Sequence, residues 1–361
     1  MIKFFQEWYR RYFSDPQAVL LAVFLLLSFG IIIIMGKILA PVIAAIVIAY
    51  LLEGLIQQLE RLGIPRSLAV TGVFLLFTAA LIFLVGGLLP LLSRQLTEFF
   101  QQLPALINDG QQLLLRLPEH YPEFFTVEQV QELITVIRRG ITELWQSVLS
   151  LSLASIPTII LILVYLVVGP FLVFFFLKDK APIIDWLTTN FLPHDRALLT
   201  RVWQEMDMQM GNYVRGKFSE VLLVGIITYI VFGLMGLNYA PLLSVLTGLS
   251  VVVPYVGTTA VTVPVAFAAY VQWGWSAELG WVIAAYFIIH AIDGNIVVPL
   301  LFSEVVHLHP VAIVVAILVF GGWWGFWGVF FAIPLATLVQ ALIQVWPRTA
   351  EVESSQDRRV N

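Results

Sequence analysis

The amino-acid sequence predicts an all-α, polytopic membrane protein with about eight hydrophobic segments, two of them interrupted helical hairpins. Of its 361 residues, 60% are hydrophobic and only 12% are charged, whereas soluble domains contain roughly 25% charged residues. Several apolar runs approach the roughly 20 residues that cross a bilayer as a helix. No lysine or arginine occurs between Lys217 and Arg348, and such a stretch is typical of membrane-embedded chain.

Composition also excludes several function classes. The chain has no cysteine, which excludes disulfides and thiolate metal sites. Its net charge of −4 does not indicate a nucleic-acid partner. It has no Walker motif, no G-x-G-x-x-G at a helix start and no H-E-x-x-H, so we predict no cofactor. Because the few polar residues form neither a nucleophile–base pair nor a metal cage, we do not expect an enzyme.

The N-terminal segments are expected to enter the membrane from the cytoplasm. Residues 1–17 place aromatic and apolar side chains on one face and basic ones on the others, which predicts an interfacial helix. Residues 18–90 are expected to form three membrane segments. Lys37 and Pro41 predict a break after the first, so that the first two segments form a hairpin, and Pro90 is expected to end the third.

Residues 91–155 predict an extramembrane, periplasmic helical insert. Thr126 and Gln129 have the spacing of a capping box at a helix start. Apolar residues then recur at three- and four-residue steps: Val130, Leu133, Ile134, Ile137, Ile141, Leu144, Trp145 and Val148. This face either packs on the protein's own outer surface or contacts an oligomer neighbour or another protein.

The middle of the chain is predicted to return to the cytoplasm. Residues 156–177 form the fourth membrane segment, and the lysines that follow indicate the cytoplasmic side. Residues 178–217 form an amphipathic cytoplasmic segment that leads directly into the next membrane helix. Glu220, just beyond Lys217, is interpreted as a favourable carboxylate at the start of that helix. Residues 347–361 are expected to form a cytoplasmic tail.

The C-terminal membrane segments, residues 218–346, contain two interrupted runs. The first pairs Gly257 with Pro264 a few residues later, and the second pairs Gly328 with Pro334. Interrupted membrane segments often line transport sites, because unwound backbone needs water or protein to bond it. Both runs are either helical hairpins, which could re-enter the membrane, or ordinary helix pairs with tight turns.

Polar residues between 290 and 310 are the strongest functional candidates. A carboxylate at a membrane helix centre costs about 2.5–3.5 kcal/mol, so Asp293 needs an explanation. If the helix breaks at Asp293 and Asn295, a carboxylate, an amide and free carbonyls would suit a proton, a sodium ion or a small polar solute. Alternatively, Asp293 lies at a water boundary or pairs with His290.

The candidate path residues for a solute or ion are Asp293, Asn295, Pro254, Tyr255, Gly257, Pro264, Pro299, Glu304 and His309, and those of the second hairpin tip are Gly325, Gly328 and Pro334. No metal site is predicted, because Glu304, His307 and His309 lack further ligands at suitable spacing. Gating or loop capping is the favoured role for this group.

Several motifs resemble the autoinducer-2 exporter family of membrane proteins and, within it, the PerM-type permeases. They are AYLLE at 49–53, FLKDK at 176–180, QMGNYVRGKF at 209–218, PYVG at 254–257, DGNIVVPLLFSEVVHLHP at 293–310 and GFWGVFFAIPLA at 325–336. Two departures are Ser303, where many members have glycine, and Asp293, where glutamate is common. The resemblance implies an eight-segment protein of the bacterial inner membrane, both termini cytoplasmic, that assembles as a homo-oligomer.

The resemblance also implies transport, because family members are described as exporters of autoinducer-2 and some as sodium/proton antiporters. The sequence therefore predicts a secondary transporter or permease that moves a small polar solute or signal. The alternatives are a sodium/proton antiporter, or a non-transporting partner protein that acts through the 91–155 insert. The expected partners are the lipid bilayer and an unidentified small polar solute or cation.

Overall fold

The computed structural model describes residues 16–115, 126–152, 156–191, 197–254, 256–302 and 309–345, and every regular element within these ranges is helical. The helices are α1 Pro16–Arg61, α2 Arg66–Phe83, α3 Leu89–Leu115, α4 Val127–Ser152, α5 Ile156–Lys178, α6 Lys180–Phe191, α7 Ala197–Leu234, α8 Ala240–Ser250, α9 Val256–Trp273, α10 Ala277–Ile292, α11 Val298–Phe302, α12 Pro310–Trp324, α13 Phe326–Phe330 and α14 Ala332–Val345. The predicted all-α class is confirmed for these residues. The interfacial helix predicted in residues 1–17 lies almost entirely outside them.

Membrane-spanning capacity is clear in the described part of the chain. Four helical stretches there are long and apolar enough to cross a bilayer: Ile38–Arg61, Arg66–Gln102, Asp207–Leu234 and Ala277–Phe302. Three shorter apolar helical stretches accompany them: Tyr165–Lys178, Ala240–Ser250 and Val311–Trp324. The protein is therefore a multi-pass membrane protein.

Helix α1 corrects the prediction of an N-terminal hairpin. It runs without interruption through Lys37 and Pro41, and at about 1.5 Å per residue its 46 residues extend about 69 Å. Pro41 lacks the N–H that would bond the carbonyl of Lys37, yet membrane helices tolerate proline where neighbouring groups or local adjustments compensate. The predicted break at these two residues is wrong.

The expected helix end at Pro90 is also wrong. A π-helical turn, Leu84–Leu88, follows α2, and the N–H of Leu89 donates to the carbonyl of Leu84 at its end. Helix α3 then continues through Pro90 to Leu115. Pro90 has no N–H to donate to the carbonyl of Gly86, which lies in the π turn. The wider π turn shifts the hydrogen-bond register at this point and so accommodates the proline.

The insert contains the predicted capping box. The N–H of Gln129 donates to Thr126 Oγ1 at 3.3 Å, and the N–H of Thr126 donates to Gln129 Oε1 at 3.1 Å. The prediction of a helix start at Thr126 is thereby confirmed. Val130, the first residue of the predicted apolar face, is 2% exposed, and α4 packs against α3. At this end of α4, packing on the protein's own helices is the alternative that the structure supports.

The turn between α7 and α8 is held by three glutamine side chains. Gln95 Oε1, on α3, accepts the N–H of Leu242 at 3.0 Å. Gln102 Nε2, also on α3, donates to the Tyr239 hydroxyl at 2.7 Å. Gln272 Oε1, on α9, accepts the N–H of Asn238 at 2.7 Å, while its Nε2 donates to the carbonyl of Gly236 at 2.8 Å. The amides of Gln95 and Gln272 satisfy backbone groups that the turn does not bond itself.

The chain divides into two compact units. Unit 1 comprises Met1–Val73, Phe171–Glu220 and Asn295–Asn361, and unit 2 comprises Phe74–Pro170 and Val221–Gly294. The core of unit 2 is built from α3, α7, α8, α9 and α10, with buried Phe99, Phe232, Leu243 and Val282. One core of unit 1 joins buried Tyr213 and Phe302 with Val47 and Phe330. Each unit therefore has its own apolar core.

Candidate functional site

Asp293 lies at the start of a π-helical turn, Asp293–Val297, inside the apolar stretch Ala277–Phe302. Its side chain is 7% exposed, whereas Asn295 is exposed. The helix does not break at this place, because the backbone widens into the π turn and helix continues to Phe302. A π turn is a common feature of functional sites, and it keeps most backbone groups bonded in an apolar medium.

The face of α10 that leads to Asp293 is polar. Tyr286, His290 and Asp293 are separated by four and three residues, so their side chains leave the helix on one face. The Tyr286 hydroxyl donates to the carbonyl of Thr258 on α9 at 2.6 Å. The rings of Tyr286 and His290 meet nearly at right angles, with centroids 4.5 Å apart. This face therefore lies towards the second arm of the first hairpin.

The alternative pairing of Asp293 with His290 is not formed. Both ring nitrogens of His290 are buried, and neither makes a hydrogen bond to any described residue. Asp293 is buried within the protein. Among the interpretations weighed from sequence, an embedded carboxylate beside an altered backbone fits the geometry best.

Both predicted hairpin tips depend on a glycine packed against backbone. In the first hairpin, a Cβ added at Gly257 would collide with the carbonyl of Ser250, at the end of α8. In the second, a Cβ added at Gly328 would collide with the carbonyl of Phe320 on α12. Each collision joins the second arm of a hairpin to the first. In both runs, therefore, a glycine after the interruption packs directly against a backbone carbonyl of the preceding helix.

The other candidates have simpler environments. Pro264 lies within α9, Pro254 is half-buried in the first tip, and Pro299 is exposed in α11. Pro334 is buried in α14. Gly325 ends α12 with a φ of +58° and a ψ of −131°, a positive-φ conformation that glycine adopts readily.

His309 has the capping role that the sequence analysis favoured for its group. Its Nδ1 accepts the N–H of Val311 at 3.3 Å at the start of α12. Tyr255 and Glu304 lie outside the described residues. The candidates fall into two sets: Asp293, Pro254, Gly257 and Pro264 belong to unit 2, whereas Asn295, Pro299, His309 and the second tip belong to unit 1.

An ion network in unit 1 was not predicted. Glu53 is 7% exposed and accepts hydrogen bonds from both terminal nitrogens of Arg66 at 3.2 and 3.3 Å. Lys180 Nζ lies 3.8 Å from Glu53 and 4.0 Å from Asp207. The Tyr50 hydroxyl donates to Asp207 at 2.6 Å. Tyr50, Glu53 and Lys180 lie in segments that carry the family resemblance. Their presence in those segments was the one sequence signal that could have pointed to this network.

Lys217 and Glu220 form a buried ion pair. Lys217 Nζ donates to both carboxylate oxygens of Glu220 at 3.1 and 2.9 Å, and the side chains are 6% and 2% exposed. The ammonium also lies 5.7 Å from the centre of the Phe302 ring. Because α7 begins at Ala197, Glu220 is deep inside the helix. The interpretation of Glu220 as a helix-start carboxylate is wrong.

Comparison with known proteins places these features in a family context. The family model described as AI-2E family transporter matches residues 21–348. The chain is 43% identical over 347 residues to "Putative permease PerM" of Escherichia coli (strain K12), covering 96% of this chain and 98% of that protein. It is 25% identical over 308 residues to "Putative transport protein YueF" of Bacillus subtilis (strain 168), covering 83% and 82% of the two chains.

Proposed function

Because this chain belongs to the AI-2E transporter family, we propose that it is a secondary transporter that moves a small polar solute across the membrane. Asp293 and the first hairpin, with Pro254, Tyr255, Gly257 and Pro264, line part of the path in this proposal. Asn295, Pro299, Glu304, His309 and the second tip, with Gly325, Gly328 and Pro334, are the path candidates of unit 1. The protein acts in the bacterial inner membrane as a homo-oligomer, with both termini in the cytoplasm.

The observation that supports this proposal is the buried carboxylate of Asp293 in a π turn. A carboxylate at a membrane helix centre costs about 2.5–3.5 kcal/mol, and a π turn adds a local departure from helix geometry. A chain that needed only a membrane span at this place would be more stable with an apolar residue in a regular helix. Two unfavourable features at one residue are typical of a functional position.

The first arm of each hairpin is shorter than a full membrane crossing, which supports re-entrant segments. Helix α8 has 11 residues, which at about 1.5 Å per residue extend about 16 Å, half of the roughly 30 Å hydrocarbon layer. Helix α12 has 15 residues and extends about 22 Å. In this proposal the tips end inside the membrane, where their altered backbone contacts the solute path.

The test is solute flux in proteoliposomes that contain the purified protein. Ribose, glutamate and choline serve as an uncharged, an anionic and a cationic probe, each measured with and without a proton gradient. We expect saturable flux of at least one probe, and Asp293→Asn should lower it about tenfold or more, a loss of about 1.4 kcal/mol. The matched control is Asp185→Asn, because Asp185 is exposed on α6.

Two results would contradict the proposal. Equal flux through the wild type and Asp293→Asn would remove Asp293 from the path. Flux no greater than that of protein-free liposomes for every probe would argue for the non-transporting alternative. No observation on the described residues favours the sodium/proton alternative.

A further inference from the structure

His290 is the least satisfied polar side chain on the face of α10 that leads to Asp293. Both of its ring nitrogens are buried, and no described residue hydrogen-bonds to either. An imidazole always carries at least one N–H donor, and its neutral form adds an acceptor. Leaving these groups unbonded in a protein interior is unfavourable, so a ligand that supplies the missing hydrogen bonds would be stabilised there.

The neighbours of His290 explain why this part of α10 is buried, but they do not explain why the buried residue is a histidine. Ile289, the preceding residue, packs with Val224 and Val251 in an apolar cluster. Tyr286, one turn earlier, contacts the His290 ring and bonds the carbonyl of Thr258. If packing were the only requirement, an apolar ring would fill this place without unmade hydrogen bonds.

A second buried polar group lies in the same unit. Thr228 on α7 is fully buried, and its hydroxyl oxygen has no hydrogen-bond partner among the described residues. Thr228 is one turn from Val224, which packs with Ile289. Thr228 on α7 and His290 on α10 thus each lie within one helical turn of the apolar contact between Val224 and Ile289.

We propose that His290 is a solute-binding residue and that it binds, with Asp293, a solute group that both donates and accepts hydrogen bonds, such as a hydroxyl or a primary amide. This inference rests on the proposed transport function. A neutral imidazole offers one donor and one acceptor, and the carboxylate adds acceptors. A metal ion fits less well, because no three His, Cys, Asp or Glu side chains of the described residues lie together as a metal site requires.

Cysteine accessibility tests the position of His290 without knowledge of the solute. The chain contains no cysteine, so His290→Cys carries a single thiol. Its reaction with a water-soluble, positively charged methanethiosulfonate reagent is measured in the reconstituted protein. The control is Val282→Cys, because Val282 lies two turns earlier on α10 and is 0% exposed in the apolar core.

We expect His290→Cys to react about tenfold or more faster than Val282→Cys, because a residue on the solute path meets water during the transport cycle. Equal slow rates would show that His290 is a packed core residue and would overturn the inference. This result is independent of flux: a wild type that transports no probe contradicts the proposed function, whereas a labelled His290→Cys still supports a water-filled path.

Two further variants test the chemistry of binding. His290→Asn keeps a donor and an acceptor, and His290→Phe keeps the ring without either. For ribose flux we expect His290→Asn to retain most of the wild-type rate and His290→Phe to raise KM about tenfold. Equal KM values for His290→Phe and the wild type would overturn the binding role. A loss confined to glutamate, which has neither a hydroxyl nor a primary amide, would overturn the proposed class of solute.

Discussion

The buried pair of Lys217 and Glu220 allows a sharp prediction of stability. Replacing Lys217 with methionine keeps the aliphatic stem but removes the ammonium that bonds both oxygens of a carboxylate only 2% exposed. Breaking a buried ion pair by removing one member costs about 3–5 kcal/mol, because the remaining charge stays buried. We expect Lys217→Met to lose stability of this order.

The double variant should recover most of the loss. In Lys217→Met with Glu220→Leu no charge remains to be desolvated, and replacing a whole buried pair by apolar residues is often neutral or stabilising. The coupling between the two positions should therefore be about 2 kcal/mol or more. The assay is thermal unfolding of the purified protein in detergent for the wild type, both single variants and the double variant.

An exposed pair provides the matched control. Arg94 and Glu98 are 2.8 Å apart, almost the same distance as the buried pair, but their side chains are 80% and 45% exposed. Arg94→Ala should leave the unfolding temperature unchanged within error, because water replaces the lost partner. If the two single variants of the buried pair simply add in the double variant, the reasoning from burial is refuted.

Two further predictions concern the first hairpin. Gly257→Ala should destabilise the protein strongly, because its Cβ would meet the Ser250 carbonyl. Gly280→Ala has open space around it and should be neutral or stabilise by up to about 1 kcal/mol. Thermal unfolding of both variants checks this, and equal effects would contradict the tip packing. Gln272→Leu should lower the unfolding temperature, because two hydrogen bonds are lost, each worth about 1 kcal/mol. It should also speed hydrogen exchange of the Asn238 amide. Unchanged exchange there would show that Gln272 does not stabilise this turn.

Local signals predicted the elements whose cause is local. The capping box at Thr126 occurs where the sequence predicts it, since it depends on residues only three positions apart. Both interrupted runs break near glycines, because glycine lets the backbone turn and approach other backbone closely. Pro41 and Pro90 do not end helices as predicted, because the surrounding helix and a π turn accommodate the missing N–H.

The candidate site was only partly predictable. Asp293 was identified because a lone carboxylate in an apolar stretch is unfavourable whatever the fold. The contact of Tyr286 with Thr258 and the ion network of Glu53, Arg66 and Lys180 join residues 13 to 127 positions apart. No periodicity or spacing rule relates such residues, so their pairing could not be derived from the chain alone.

The sequence by itself determined that this is a helical membrane protein of the AI-2E transporter family, because apolar composition and family motifs are properties of the linear chain. Only the tertiary structure decided which polar groups meet. It showed that Glu220 bonds Lys217, that Asp293 lies in a π turn, and that His290 has no described hydrogen-bond partner. The physical reason is that the cost of burying a polar group depends on its three-dimensional neighbours, and packing alone determines these.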